Sequence, residues 1–332
     1  MRAIHSVENG GPEKLIYRTD APIPEPLPGQ IRIRVQSAAL NMPDLLMIED
    51  LYQDRPARPF APGSEVAGTV DALGAGVTGF AKGDRVLAVC SHGGLADFVC
   101  APATKTSRIP DAMPYDDASA LLVTYGTAWH ALKDRANLQK GETLLVLGAS
   151  GGVGLAAIEL GRALGARVVA GVSSAEKLQV ARDAGAEDGL IYPTGDLTRD
   201  QQKTLSKEIK ALGGTKGIDA IFDPIGGAYV EPAFRAIGWG GRYLVIGFAA
   251  GIAALPMNLP LLKGAGVLGV YWADSLVRDP EGHARAVQEL YDLYARRQIK
   301  PRIQARYPLE QGIPAMKHLA SRRATGKIVI EL

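Results

Sequence analysis

Read from Met1, the apolar positions of the chain change their spacing twice. Up to about residue 110 they fall in short runs between turn residues. Ile31-Arg32-Ile33-Arg34-Val35 alternates apolar with basic, the spacing of a strand buried on one face. It follows Pro22, Pro24, Pro26 and Pro28, which make a stiff, extended approach without a helix. Further strands are predicted at Glu65–Leu73, 84–89 and 95–101, with Gly74, Gly76, Gly79 and Gly83 marking the turns. Short strands at that interval point to a barrel-like β domain. At 116–132 the spacing becomes helical, with Ala118, Leu121, Leu122, Tyr125, Ala128 and Trp129 on one face, and this segment reads as the bridge to a second domain.

From Thr143 onward, apolar strands and amphipathic helices alternate. The pattern predicts strands at 144–147, 166–172, 189–192, 218–222, 241–246 and 266–271, and helices at 153–164, 175–184, 198–212 and 228–237. Such alternation means a doubly wound parallel sheet of the Rossmann kind. Beyond Tyr271 it stops. A long helix at 282–297, a strand at 303–307, a helix at Gly312–Ala320 and a closing strand Lys327–Glu331 are expected. This tail is too short to stand alone and is expected to return to the first domain. The chain is therefore read as α/β, with a dinucleotide-binding domain at 123–268 inserted into a β-rich domain made of 1–122 and 269–332.

The sharpest local signal is the run Thr143-Leu144-Leu145-Val146-Leu147-Gly148, which breaks into Ala149-Ser150-Gly151-Gly152-Val153-Gly154 and continues as a helix. Small residues in the turn let a ligand approach the backbone, and the free N–H groups at the start of the helix make a phosphate site. Ala149 holds the first place of the G-x-G-x-x-G pattern, and such a pattern also occurs in ordinary strand-to-helix turns. The strand at 166–172, at the distance a βαβ unit needs, favours a dinucleotide site.

Composition mainly excludes. The 332 residues are 47% apolar and 22% charged, as in an ordinary globular protein. The 37 basic and 35 acidic residues leave a net charge of +2, which gives no argument for nucleic acid or an anionic membrane as partner. No apolar run reaches membrane-spanning length and the first residues lack the apolar core of a signal peptide, so a cytoplasmic location is expected. Cys90 and Cys100 are too few for a disulfide framework or a four-cysteine zinc lobe.

Taken together, Ala38-Ala39-Leu40-Asn41-Met42-Pro43-Asp44, Pro62-Gly63-Ser64-Glu65-Val66-Ala67-Gly68, Lys82-Gly83-Asp84-Arg85-Val86, Ala149 to Gly154, Leu164-Gly165-Ala166 and Ala184-Gly185-Ala186 resemble the medium-chain dehydrogenase/reductase superfamily over nearly the whole length. Within it the chain is similar to the zinc-independent quinone oxidoreductases related to ζ-crystallin. The resemblance implies a GroES-like first domain. Zinc-dependent members carry cysteine where Asn41 stands and histidine where Ser64 stands. A catalytic zinc needs about three converging ligands, and His5, His92, His130, His283 and His318 have no spacing that replaces the missing two. No metal is expected.

The end of the second strand, Val172-Ser173-Ser174, offers hydroxyls where NAD-binding folds place a carboxylate, and Lys177 follows on the next helix. Ser174 also suits a helix cap. These residues favour NADPH, and the resemblance implies Lys177 and Tyr192 as contacts of its 2′-phosphate. It also implies Thr127, Gly247 and Phe248 at the cofactor, Asn41 beside cofactor and substrate, and Tyr52 in the active site. Phe248 has a second reading as a core aromatic, and Tyr52 as a surface tyrosine. The nicotinamide end is expected in the cleft between the domains, at the carboxyl ends of the strands.

Without a metal, charge appearing on the acceptor oxygen must be met by hydroxyl and amide donors, which suits acceptors that spread charge by conjugation. Quinones are the leading substrate. Met42, Leu45, Leu46, Met47 and Phe60 are read as apolar pocket walls, with Asp44 holding the loop through backbone N–H groups. An α,β-unsaturated carbonyl or an enoyl-CoA is the alternative, with Arg55 and Arg58 either meeting CoA phosphates or simply solvated. A further alternative is an NADPH-binding protein with little turnover. The apolar strand at 266–271 is read as a sheet edge that pairs in a homodimer.

Overall fold

The computed structural model describes residues 1–332. They form two compact units: Met1–Val123 with Pro301–Leu332, and Thr124–Lys300. No helix is long and apolar enough to cross a membrane.

The first unit opens with an antiparallel pair, β1 (Ala3–Ser6) and β2 (Leu15–Arg18). β3 (Gln30–Ala39) keeps the alternation read from its sequence, with Ile31, Ile33 and Val35 buried. A short helix, α1 (Met42–Ile48), follows where only a pocket segment was expected. β4 (Glu65–Leu73), β5 (Arg85–Val89), β6 (Phe98–Pro102) and β7 (Thr106–Arg108) pair antiparallel, β4 with β3 and β5, β6 with β3 and β7 with β5, and α2 (Tyr115–Ser119) packs on β3 and β4. The predicted helix at 116–132 is broken. After α2 come a π-helical stretch, Leu122–Gly126, one α-helical turn, α3 (Thr127–Trp129), and a second π-helical stretch, His130–Arg135.

The second unit follows the alternation its pattern predicts, with one further short helix at Asn258–Lys263. β8 (Thr143–Leu147), α4 (Gly152–Ala163), β9 (Arg167–Val172), α5 (Ala175–Asp183), β10 (Asp188–Ile191), α6 (Arg199–Leu212), β11 (Ile218–Asp223), α7 (Val230–Arg235), β12 (Ile237–Val245), α8 (Asn258–Lys263) and β13 (Gly266–Gly269) follow in turn. The strands form one parallel sheet in the order β10-β9-β8-β11-β12-β13. β8 is a continuous apolar run because helices cover both faces of such a sheet. α4 lies close on it: a Cβ on Gly161 would stand 2.8 Å from Leu144 Cδ2.

The tail departs from expectation. α9 (Trp272–Arg278) and α10 (Pro280–Ala295) stay with the second unit, and the return to the first comes at Pro301, where 269 was expected. The cause is packing: the Trp272 indole lies over Gly126, where a Cβ would meet it at 2.6 Å, and Lys300 N–H donates to Glu159 Oε2 at 2.8 Å. The first unit then closes with β14 (Ile303–Pro308), α11 (Gly312–Ala320) and β15 (Lys327–Glu331). β15 lies between β14, parallel, and β3, antiparallel, with Val329 opposite Ala39.

Candidate functional site

The order of the second unit's strands reverses between β8 and β11, and ligands of open α/β sheets bind beyond the carboxyl ends of the strands at such a point. The glycine turn stands there. Gly148 leaves β8 at φ +59°, a left-handed conformation that glycine adopts without strain. Gly154 is pressed against the turn, since a Cβ there would lie 2.4 Å from Gly148 O and 2.8 Å from Ala149 Cα. Gly151 is the opposite case: its Cβ would meet only Gly148 O, at 3.5 Å, so space stays open at the head of α4. The leading N–H groups of α4 at Gly152, Val153 and Gly154 have no acceptor within the helix and point outward from its positive end. Ala149 and Ser150 are buried beneath. An open cradle lined by backbone donors fits a pyrophosphate.

At the end of β9, Lys177 Nζ donates to Ser173 Oγ at 3.1 Å, while Ser174 Oγ accepts the Lys177 N–H at 3.2 Å and caps α5. The two serines thus divide the roles left open by the sequence. Ser173 and the Lys177 ammonium form a pair that fits a phosphate monoester. Tyr192, expected beside that phosphate, is 6% exposed; its ring packs on Tyr229 at 4.9 Å, and burial pushes its pKa up. Its ring lies against Gly171 of β9, where a Cβ would stand 3.4 Å from Cε1.

Gly247 and Phe248 follow β12. Phe248 is 54% exposed, which rules out the core-aromatic reading. Its loop is laced to the turn after β11: Ala250 N–H donates to Ile225 O and Gly227 N–H to Gly251 O, both at 2.7 Å. Asp223, which sequence reasoning passed over, anchors that turn by accepting the Ile225 and Gly226 N–H groups and the Tyr243 hydroxyl, the last at 2.7 Å. Burial raises its pKa. Thr127 opens α3 and is half-buried.

In the first unit, Asn41 precedes α1 and is buried among charged groups. Asn41 Nδ2 donates to Ala39 O and to Glu65 Oε2, both at 3.2 Å, and Oδ1 accepts from the Lys327 ammonium at 2.6 Å. Asp44 Oδ2 accepts the Asn41 N–H at 2.7 Å, so Asp44 holds the turn as expected. Its Oδ1 and the Ser64 hydroxyl are buried without a hydrogen-bond partner, although Ser64 stands close enough to bear on the carboxyl, and burial pushes the Asp44 pKa up to about 6. Glu65 is 1% exposed; burial raises its pKa and the Lys327 charge opposes the rise. Glu65 Oε1 accepts the Val123 N–H at 2.8 Å.

The expected apolar walls divide once α1 is a helix. Leu45, Met47 and Phe60 turn into the core of the unit, leaving Met42 and Leu46 half-exposed. Tyr52 packs half-buried on that core. His92 lies edge-on to Phe60 at 5.7 Å with its pKa lowered by burial. Arg58 is committed to its own unit, donating to Ile48 O at 2.9 Å and pairing with Asp50, whereas Arg55 is exposed. No three His, Cys, Asp or Glu side chains converge as a metal site would need. With an ammonium on Asn41 and a hydroxyl at Ser64, the residues present do not fit a zinc.

Two family models match. The alcohol dehydrogenase GroES-like domain covers residues 27–111 and the zinc-binding dehydrogenase domain covers 152–289. Among curated relatives, the quinone oxidoreductase-like protein 2 homolog of Nematostella vectensis is 36% identical over 305 residues, spanning 91% of this chain and 81% of its own length. The human quinone oxidoreductase is 30% identical over 334 residues, spanning 100% of this chain and 98% of its own. A solved mycobacterial structure, complexed with NADPH, superposes with a TM-score of 0.91 at 30% identity and covers 100% of both chains. The chain belongs to the medium-chain dehydrogenase/reductase superfamily, among its quinone oxidoreductase-like members.

Proposed function

We propose that this member of the superfamily is an NADPH-dependent oxidoreductase that reduces quinones without a metal. The observation that carries the cofactor is the Ser173–Lys177 pair at the end of β9, beside an open glycine turn. The turn holds the pyrophosphate through the leading N–H groups of α4, and the pair holds the 2′-phosphate by a charge-assisted bond that NADH lacks. Gly247, Phe248 and Thr127 are proposed at the rest of the cofactor. When bound, the dinucleotide supplies a hydride for an electron-poor acceptor.

On the first unit, Met42 and Leu46 offer apolar surface to a flat acceptor, and the Tyr52 hydroxyl is proposed as the donor to its developing oxyanion. Asn41 has both amide hydrogens directed at internal acceptors, so its part is to shape the turn that carries these residues. Donor groups of this strength favour conjugated acceptors. The test is NADPH oxidation with a benzoquinone compared with an enone and an enoyl-CoA. Faster turnover of an enoyl-CoA would replace the quinone, and tight NADPH binding without turnover of any acceptor would leave a binding protein.

A homodimer is part of the proposal. β13 has a strand partner on one side only, and Trp239, 82% exposed, stands in the same part of the sequence as the exposed Leu261, Leu262 and Val267. Light scattering at micromolar concentration tests it, and a monomer mass overturns it. Both cysteines are free, as suits a reducing cytoplasm.

A further inference from the structure

Lys327 begins β15 and is 4% exposed, an unusual burial for a lysine. Its ammonium donates to Asn41 Oδ1 at 2.6 Å and Leu40 O at 3.1 Å, and stands 3.4 Å from Glu65 Oε2. The amide of Asn41 therefore has every group assigned: the oxygen faces an ammonium, and the two N–H bonds face a carbonyl and a carboxylate. Turned over, the same amide would set NH2 against NH3⁺ and C=O against a carboxylate. One orientation survives. The backbone N–H of Asn41 donates to Asp44 Oδ2, which ties the residue that carries this amide to the first turn of α1.

We infer that Lys327 is a positioning residue for the acceptor site, locking the Asn41 amide and with it the turn of α1 that presents Met42 and Leu46. The inference rests on the proposed acceptor role of α1. A simpler role is available to a buried lysine, that of counter-charge to Glu65, and the two roles separate when both charges are removed together. Counter-charge is no longer needed once Glu65 is neutral; the lock on Asn41 still is.

The experiment compares the full chain with Lys327→Met, Glu65→Gln and the double variant, using NADPH and 1,4-benzoquinone. Lys327→Met alone is expected to unfold at markedly lower temperature. In the double variant the melting temperature should return close to that of the parent and NADPH affinity should be unchanged, while KM for the quinone stays raised about tenfold. Hydrogen exchange at 40–48 should remain about tenfold faster than in the parent. Recovery of KM together with melting temperature makes Lys327 a counter-charge only and overturns the inference. Should the parent turn over no acceptor, the functional reading fails separately and exchange at 40–48 decides: parent-like protection in the double variant overturns the lock, and faster exchange upholds the locking of Asn41.

Discussion

In the second unit the phosphate corner is made by leaving side chains out: Gly148 turns where others would strain, Gly154 admits close packing, and Gly151 keeps the helix head open. In the first unit the turn at Asn41 is made by putting charges in, with Glu65, Asp44 and Lys327 buried around one amide. Backbone dipoles need no counter-ion and tolerate burial cheaply. Buried side-chain charges hold one arrangement firmly, and each depends on the others remaining charged or neutral in the right combination. The first corner is suited to a constant feature of ligands, a pyrophosphate. The second is suited to fixing a shape.

Substitution separates the two. The largest effect is expected from Gly154→Val, whose Cβ would strike Gly148 O at 2.4 Å, a backbone atom with nowhere to go. A loss of about 3 kcal/mol in urea denaturation is expected, with NADPH affinity lowered about 100-fold by fluorescence titration. Parent-like binding in this variant would break the idea of a corner made by absence.

Asp44→Asn probes the other corner. Burial raises the Asp44 pKa from 3.8 to about 6, so the folded state holds this proton more tightly than the unfolded chain does. Stability owed to the protonated group is complete below the unfolded value and is lost as pH rises through the interval to about 6. The asparagine variant lacks that loss. Its stability relative to the parent should rise by about 3 kcal/mol from the acid to the neutral end of the interval. Equal pH slopes for the two proteins would show that Asp44 is not held as described.

Lys177→Ala is expected to weaken NADPH about tenfold, the scale of one charge-assisted bond, and to leave NADH unchanged. An equal loss for both cofactors would move the lysine away from the 2′-phosphate. The smallest effect belongs to Gly151→Ala. The space there is open, so the unfolding free energy should change by less than about 0.5 kcal/mol, while NADPH binding weakens because the methyl enters the cradle. Sharp loss of stability in this variant would show that the opening is not a ligand cradle.

The sequence made the phosphate corner legible and the Asn41 corner nearly opaque. A phosphate turn leaves its mark in consecutive residues because backbone geometry demands small ones in order. The parallel sheet was legible for a related reason, since strands buried on both faces read as unbroken apolar runs such as Thr143–Leu147. Lys327 gives no such mark. It opens an apolar strand, where a lysine ordinarily reaches water, and its partners lie at Asn41 and Glu65. The return point of the tail was misplaced because an amphipathic helix declares that it has an apolar face without declaring which neighbour covers it. The broken helix at 116–132 had the right face, and nothing in its spacing distinguishes α from π hydrogen bonding.

The distance along the chain between Glu65 and Lys327 also orders events during synthesis. They are 262 residues apart, with the whole of Thr124–Lys300 between them. At a rate of about 5–20 residues per second, roughly 15 to 50 s pass between their emergence from the ribosome. For that time β3 and β4 lack the strand that brings the ammonium, and Glu65 has hydrogen-bond donors but no counter-charge. The inserted unit, whose sheet draws only on its own residues, has no such wait. The part of the chain made first is therefore completed last.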